Sequence, residues 1–154
     1  MLPISEIFRI AFAATSAALS NAMGTSTHVA LILWNADVID LMSFVLRRRN
    51  ITSDGIEPSQ GTDRIADFIA SCSPAVVVYD LEPPYDRSAV NFLSVLDRFS
   101  GCSYVITCAD RALALHSAPW LSAVPVFQKP YALDEIAESV YSRVMHISLK
   151  LAPV

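Results

Sequence analysis

Apolar and polar positions alternate in blocks from residue 28 onward. The run "VALILW" (29–34) is continuously apolar, as expected of a strand buried on both faces. It is followed by "DVIDLMSFVLRRR", where Val38, Leu41, Phe44 and Val45 recur at helical spacing. The stretch "NITSDGIEPSQG" (50–61) is polar and turn-rich and holds at best one short edge strand near Ile56. "TDRIADFIASC" sets Ile65, Phe68, Ile69 and Cys72 on one helical face, with Thr62 as its N-cap. "AVVVYD" reads as the next strand. The helix "SAVNFLSVLDRFSG" aligns Ala89, Phe92, Leu93, Leu96 and Phe99 and closes at Gly101. Then come a strand "SYVITC", a short helix "ADRALALH", and a last strand "AVPVFQ", whose Pro125 belongs at a sheet edge or strand start. The final helix, "LDEIAESVYSRVMHISLKL", carries Leu133, Ile136, Val140, Val144 and Ile147.

Strands separated by helices throughout predict βαβ units, hence an α/β fold with a parallel sheet. At 154 residues, 53% apolar and 17% charged, the chain is long enough for one domain with a sizeable core. That domain is expected over residues 27–150, with no repeat, linker or second domain after the last helix. Residues 1–26 are expected to be an N-terminal extension. Its Ala-rich stretch is too short to span a bilayer. It reads as an amphipathic helix from Ser5, as a signal-like segment ending in "SNA", or as sequence upstream of a start at Met23. A net charge of −4 leaves no basic footprint for nucleic acid. The cluster "RRRN" (47–50) reads as a helix C-terminus, where cations suit the dipole. Three cysteines without CxxC spacing argue against a disulfide framework and for a reducing cytoplasm. His28, His116 and His146 are scattered, without metal-ligand spacing.

In an open parallel sheet, ligands bind beyond the carboxyl ends of the strands. The residues just past the apolar runs are Asn35-Ala36-Asp37, Asp80, Thr107 and Lys129-Pro130. Carboxylates at one edge can hold a divalent cation. A hydroxyl and an ammonium beside them suit a phosphoryl group.

With these pieces in place, residues 28–149 resemble the receiver domain of bacterial two-component response regulators. The matching motifs are "VVVYDLEPP", with Pro84 four residues after Asp80, then "VITCA" with Thr107, and "VFQKPYALDEI" with Lys129-Pro130. The resemblance implies a five-stranded parallel sheet with helices on both faces, the flavodoxin-like doubly wound receiver fold. It implies that Asp80 accepts a phosphoryl group from a histidine kinase or phosphotransfer protein, with Mg²⁺ beside it. Thr107 would then hydrogen-bond the phosphoryl oxygens and Lys129 would neutralise them, in keeping with a reaction that needs positioning and charge neutralisation above all.

The chain departs from the family's pattern at the end of the first strand, where a pair of acids is expected. By strand spacing, Asn35 and Ala36 take those positions; by the phase of the next helix, Ala36 and Asp37 do. The metal set that the resemblance then implies is Asp80 with Asp37, and Asn35 as a weak ligand, so Mg²⁺ binding is expected to be weakened or lost. Glu82 would modulate the approach of water or the metal, and Val126 replaces a switching aromatic. Phe127 is expected to face the other side of the strand.

The expected function is a non-enzymatic, single-domain response regulator that signals by docking an unknown downstream protein. It is expected to bind neither nucleic acid nor membrane, and a homodimer is one form it could take. Trp120 and Tyr141 are candidate exposed aromatics for docking. The alternative is a phosphorylation-independent pseudo-receiver, an interaction or dimerisation module. A haloacid-dehalogenase-like phosphatase fits less well, because "DLE" is a poor version of that family's DxD.

Overall fold

A computed structural model describes residues 27–151. The readings placed on residues 1–26 lie outside the described residues. Among the described residues, five strands and five α-helices alternate: β1 (His28–Ile32), α1 (Ala36–Arg47), β2 (Thr52–Ile56), α2 (Thr62–Cys72), β3 (Val76–Leu81), α3 (Tyr85–Arg98), β4 (Ser103–Cys108), α4 (Arg111–Ser117), β5 (Val126–Gln128) and α5 (Leu133–Leu151). Short 3₁₀ turns at Pro58–Gln60 and Pro119–Ala123 complete the connections. All strands run parallel, as the alternation predicts, in the order β2-β1-β3-β4-β5, the flavodoxin-like doubly wound arrangement that the resemblance implies.

The sheet separates two cores, because successive side chains on a strand point to opposite faces. Val29, Leu31, Val76, Val78 and Val105 pack against Met42 and Leu46 of α1 and Ile136, Val140 and Val144 of α5. Ala30, Ile32, Val77, Tyr79 and Ile106 pack against Ile65 and Ile69 of α2, Phe92 and Val95 of α3 and Ala114 of α4. The central strand β3 is buried over its whole length, which is why its sequence is apolar without alternation. At the edge, α1 lies so close over β2 that a Cβ on Gly55 would collide with Ile39.

Several local expectations are corrected. The buried face of α1 is Met42 and Leu46, flanked by Val38 and Val45, whereas Leu41 and Phe44 are 54% and 57% exposed. The apolar set of α1 nearly encircles the helix, so two adjacent stripes satisfy helical spacing, and packing on β1 selects the second. Gly61, not Thr62, caps α2: its φ of 94° is one that glycine adopts freely, and Thr62 is already helical. α3 starts at Tyr85, directly after Pro84, and ends at Arg98 with Phe99 as its cap, so Gly101 does not close it. Trp120 is a half-buried packing residue whose ring stacks on Phe92 with centroids 6.0 Å apart, while Tyr141 is exposed. The arginine cluster does end α1, and Arg49 reaches α5 at Asp134 (3.6 Å) and Glu138 (3.4 Å). Among the described residues, no helix is long and apolar enough to cross a membrane.

Candidate functional site

Strand alternation assembles the site. Asp80 lies two residues beyond Val78 and stands opposite Thr107, which lies two beyond Val105. Both therefore leave the sheet on the face covered by α1 and α5. Lys129 follows β5 in the same phase, and its backbone N–H bonds to the Cys108 carbonyl at 2.8 Å, which ties the loop to the end of β4. The three strand-end residues meet. The Thr107 hydroxyl donates to Asp80 Oδ1 at 3.0 Å, and Lys129 Nζ donates to Oδ2 at 2.6 Å.

Asp80 is only 3% exposed. Burial pushes its carboxyl above the ordinary range, and the Lys129 ammonium, the Thr107 hydroxyl and the Trp34 backbone pull the other way. Burial also works to lower Lys129, but the Asp80 carboxylate outweighs it and holds the ammonium above its usual value. The Glu82 carboxylate lies 3.8 Å from the same ammonium, and the Glu82 backbone N–H donates to Ser88 at 3.2 Å. Lys129 thus stands between two acids.

A pocket opens over this pair, walled by Leu33, Val38, Leu41 and Leu133, with Asn35, Pro130 and Tyr131 completing it. The β1 side of the pocket is apolar where a cation site would want oxygens. Ile32 pairs with Tyr79, so Leu33 comes level with Asp80. Asn35 reaches the pocket, but its side-chain oxygen caps α1, accepting from the N–H groups of Asp37 (2.8 Å) and Val38 (3.4 Å). Asp37 sits exposed in the first turn of α1 and does not line the pocket.

A hard cation such as Mg²⁺ wants near-octahedral oxygen ligands, one or two carboxylates with free oxygens among them and water for the rest. Here Asp80 is the one carboxylate on the pocket wall, and both its oxygens already accept hydrogen bonds. These residues do not fit a Mg²⁺ site, and no step is assigned to one.

Val126 packs toward the α2–α4 core and Phe127 toward the α1–α5 core, as their alternation predicts. Tyr131, overlooked in the sequence, is the aromatic that reaches the site: it lines the pocket together with Asp80 and Lys129. Burial pushes its phenol up. Its one sequence signal is its place directly after Lys129-Pro130.

Several solved structures with this architecture are receiver domains. The apo receiver domain of nitrogen regulatory protein C superposes with a TM-score of 0.62 at 16% identity, covering 80% of this chain and 98% of that one. A response regulator receiver protein from Burkholderia phymatum gives 0.57 at 17% identity, covering 77% and 94%. A transiently phosphorylated "switch" of bacterial signal transduction gives 0.60 at 17%, covering 79% and 96%.

This chain has the receiver fold.

The receiver fold accounts for the strand order and for the edge at which Asp80, Thr107 and Lys129 converge. No family model matches the sequence, and no curated protein matches it. At such low identity it is the fold that is shared.

Proposed function

We propose that this chain is a signalling domain of the two-component response-regulator kind, that Asp80 is its phosphoryl acceptor, and that it signals by docking on another protein. One observation carries the reading: a buried carboxylate at a strand end is gripped at 3.0 Å and 2.6 Å by the hydroxyl and ammonium of the next two strand ends. In transfer from a partner's phosphohistidine, an Asp80 oxygen attacks phosphorus and the N–P bond breaks, the bond's electron pair going to the ring nitrogen; with a proton already on its other nitrogen, the imidazole leaves neutral. Lys129 and Thr107 then turn to the new phosphoryl oxygens, since charge-assisted donors favour the more highly charged acceptor. Tyr131, which lines the same pocket, would respond to the new group and carry the change to the surface.

A second reading, docking without phosphorylation, is favoured by Leu33 and the capping role of Asn35, which leave the pocket short of metal-binding oxygens. One experiment separates the two. The full chain is incubated with acetyl phosphate or a phosphorylated histidine phosphotransfer protein, with Mg²⁺ present, and its intact mass is followed. A gain of one phosphoryl group that is lost in Asp80→Asn upholds the first reading. An unchanged mass, with the chain folded by circular dichroism, leaves the second.

A further inference from the structure

Opposite the Asp80 edge, at the amino ends of the strands, three side chains from three elements converge without any assigned role. The parallel register sets His28 beside Thr52 and Ala30 beside Asp54. Alternation then puts His28, Thr52 and Asp54 on the face that α2 covers. α2 runs back across that face, and its last residue, Cys72, arrives at the same end before Ser73 turns left-handed at φ 47° and stops the helix. His28 Nε2 lies 3.0 Å from Asp54 Oδ2. The nitrogen, carboxylate oxygen and sulfur all lie within 4.8 Å of one another.

We propose that His28, Asp54 and Cys72 form a binding site for a borderline-soft divalent transition metal, Zn²⁺ being the best match. Imidazole, carboxylate and thiolate are its three protein ligand types, at about 2.0–2.3 Å from the metal. The hard cations Mg²⁺ and Ca²⁺ are disfavoured by the sulfur and nitrogen donors. The other face of the imidazole supports the assignment. Nδ1 lies 2.8 Å from Thr52 Oγ1, so with its proton on Nδ1 the ring donates to the threonine and turns the Nε2 lone pair toward Asp54. Ligating histidines are held in this way by a partner on their second nitrogen. Asp54 is 67% exposed, so water can take the fourth position. On binding, the Cys72 thiol gives its proton to solvent and sulfur takes the metal in its place. The metal would pin the end of α2 to β1 and β2 at the edge of the sheet, independently of the chemistry at Asp80.

Co²⁺ is the probe, added to the full, reduced, untagged chain under anaerobic conditions. The expected result is a thiolate-to-cobalt charge-transfer band with the visible bands of tetrahedral cobalt, bleached by added Zn²⁺. Cys72→Ser removes the charge-transfer band, whereas Cys102→Ser leaves it. Thr52→Val keeps the spectrum and weakens binding about 10- to 100-fold through loss of the imidazole's support. Asp54→Ala alters an exposed side chain and also weakens binding, so the proposal remains testable even if Cys72→Ser does not fold. Absence of a charge-transfer band in the wild-type chain, or a band that survives Cys72→Ser in a folded protein, overturns the site. So does binding that is indifferent to Asp54→Ala.

Discussion

Asp80 is a charge held where water scarcely reaches it, and its two neighbours decide what it costs. Removing Lys129 leaves a carboxylate that is 3% exposed without its counter-ion. Lys129→Met should therefore cost on the order of 2–3 kcal/mol at neutral pH, below the range for a fully buried pair because the lysine side chain still meets solvent. Asp80→Asn should behave oppositely. It removes the buried charge and leaves Lys129 with Glu82 at 3.8 Å and with water, so it should be neutral or stabilising by about 1 kcal/mol. The pH dependence follows from the direction of the Asp80 shift. Its carboxyl is raised above 3.8 in the folded chain, so the folded state binds that proton more tightly than the unfolded one. Its contribution to stability is full below 3.8 and is lost as pH rises through the folded value. The Asp80→Asn and Lys129→Met curves should thus lie close to wild type near pH 4 and diverge from it, in opposite directions, toward pH 7. Urea unfolding at the two pH values checks this, and parallel curves would contradict it.

Helix α1 shows at the scale of an element how far periodicity reaches. Val38-Leu41-Phe44-Val45 and Val38-Met42-Val45-Leu46 both have helical spacing, and sequence alone gives no reason to prefer either. Packing against Val29, Leu31 and Leu33 makes the choice, and it is a strong one: Met42 and Leu46 are fully buried, while Phe44 is 57% exposed. Met42→Ala should cost about 2–5 kcal/mol, since it leaves a cavity between α1 and the sheet. Phe44→Ser should stay within about 0.5 kcal/mol of wild type. Thermal unfolding of the two variants checks the rotation of the helix, and a reversed order would mean that the other stripe faces the core. The strands were far more legible. A strand buried on both faces must be continuously apolar, so its end is marked by the first polar residue, and that rule located Asp80 and Thr107 directly. It could not locate Tyr131, a loop residue that reaches the site only because the chain after β5 folds back over the sheet edge.

Across the whole molecule, the sheet keeps two polar clusters apart, and they differ in how visible they are from sequence. The Asp80 cluster could be read because a parallel sheet brings every strand's carboxyl end to one edge. His28, Asp54 and Cys72 could not, since their meeting depends on the β1–β2 register and on where α2 stops. The pocket wall at the end of β1 holds no carboxylate, and it can be rebuilt. Asn35 lines the pocket and caps α1 with its side-chain oxygen, and aspartate caps a helix as well as asparagine does. Asn35→Asp should therefore preserve the helix while placing a second carboxylate on the wall beside Asp80. A ligand present at 100 times its Kd raises stability by about 2.7 kcal/mol, so a competent cation site is visible in the melting temperature. Wild-type protein should show no such rise with millimolar Mg²⁺, because Leu33 and the capping amide supply no charged oxygen. Asn35→Asp should acquire a Mg²⁺-dependent rise that is lost again when combined with Asp80→Asn. A Mg²⁺-dependent rise in the wild-type chain that survives Asp37→Asn but not Asp80→Asn would show that Asp80 and neutral oxygens suffice. The apolar end of β1 would then be compatible with a cation site at Asp80.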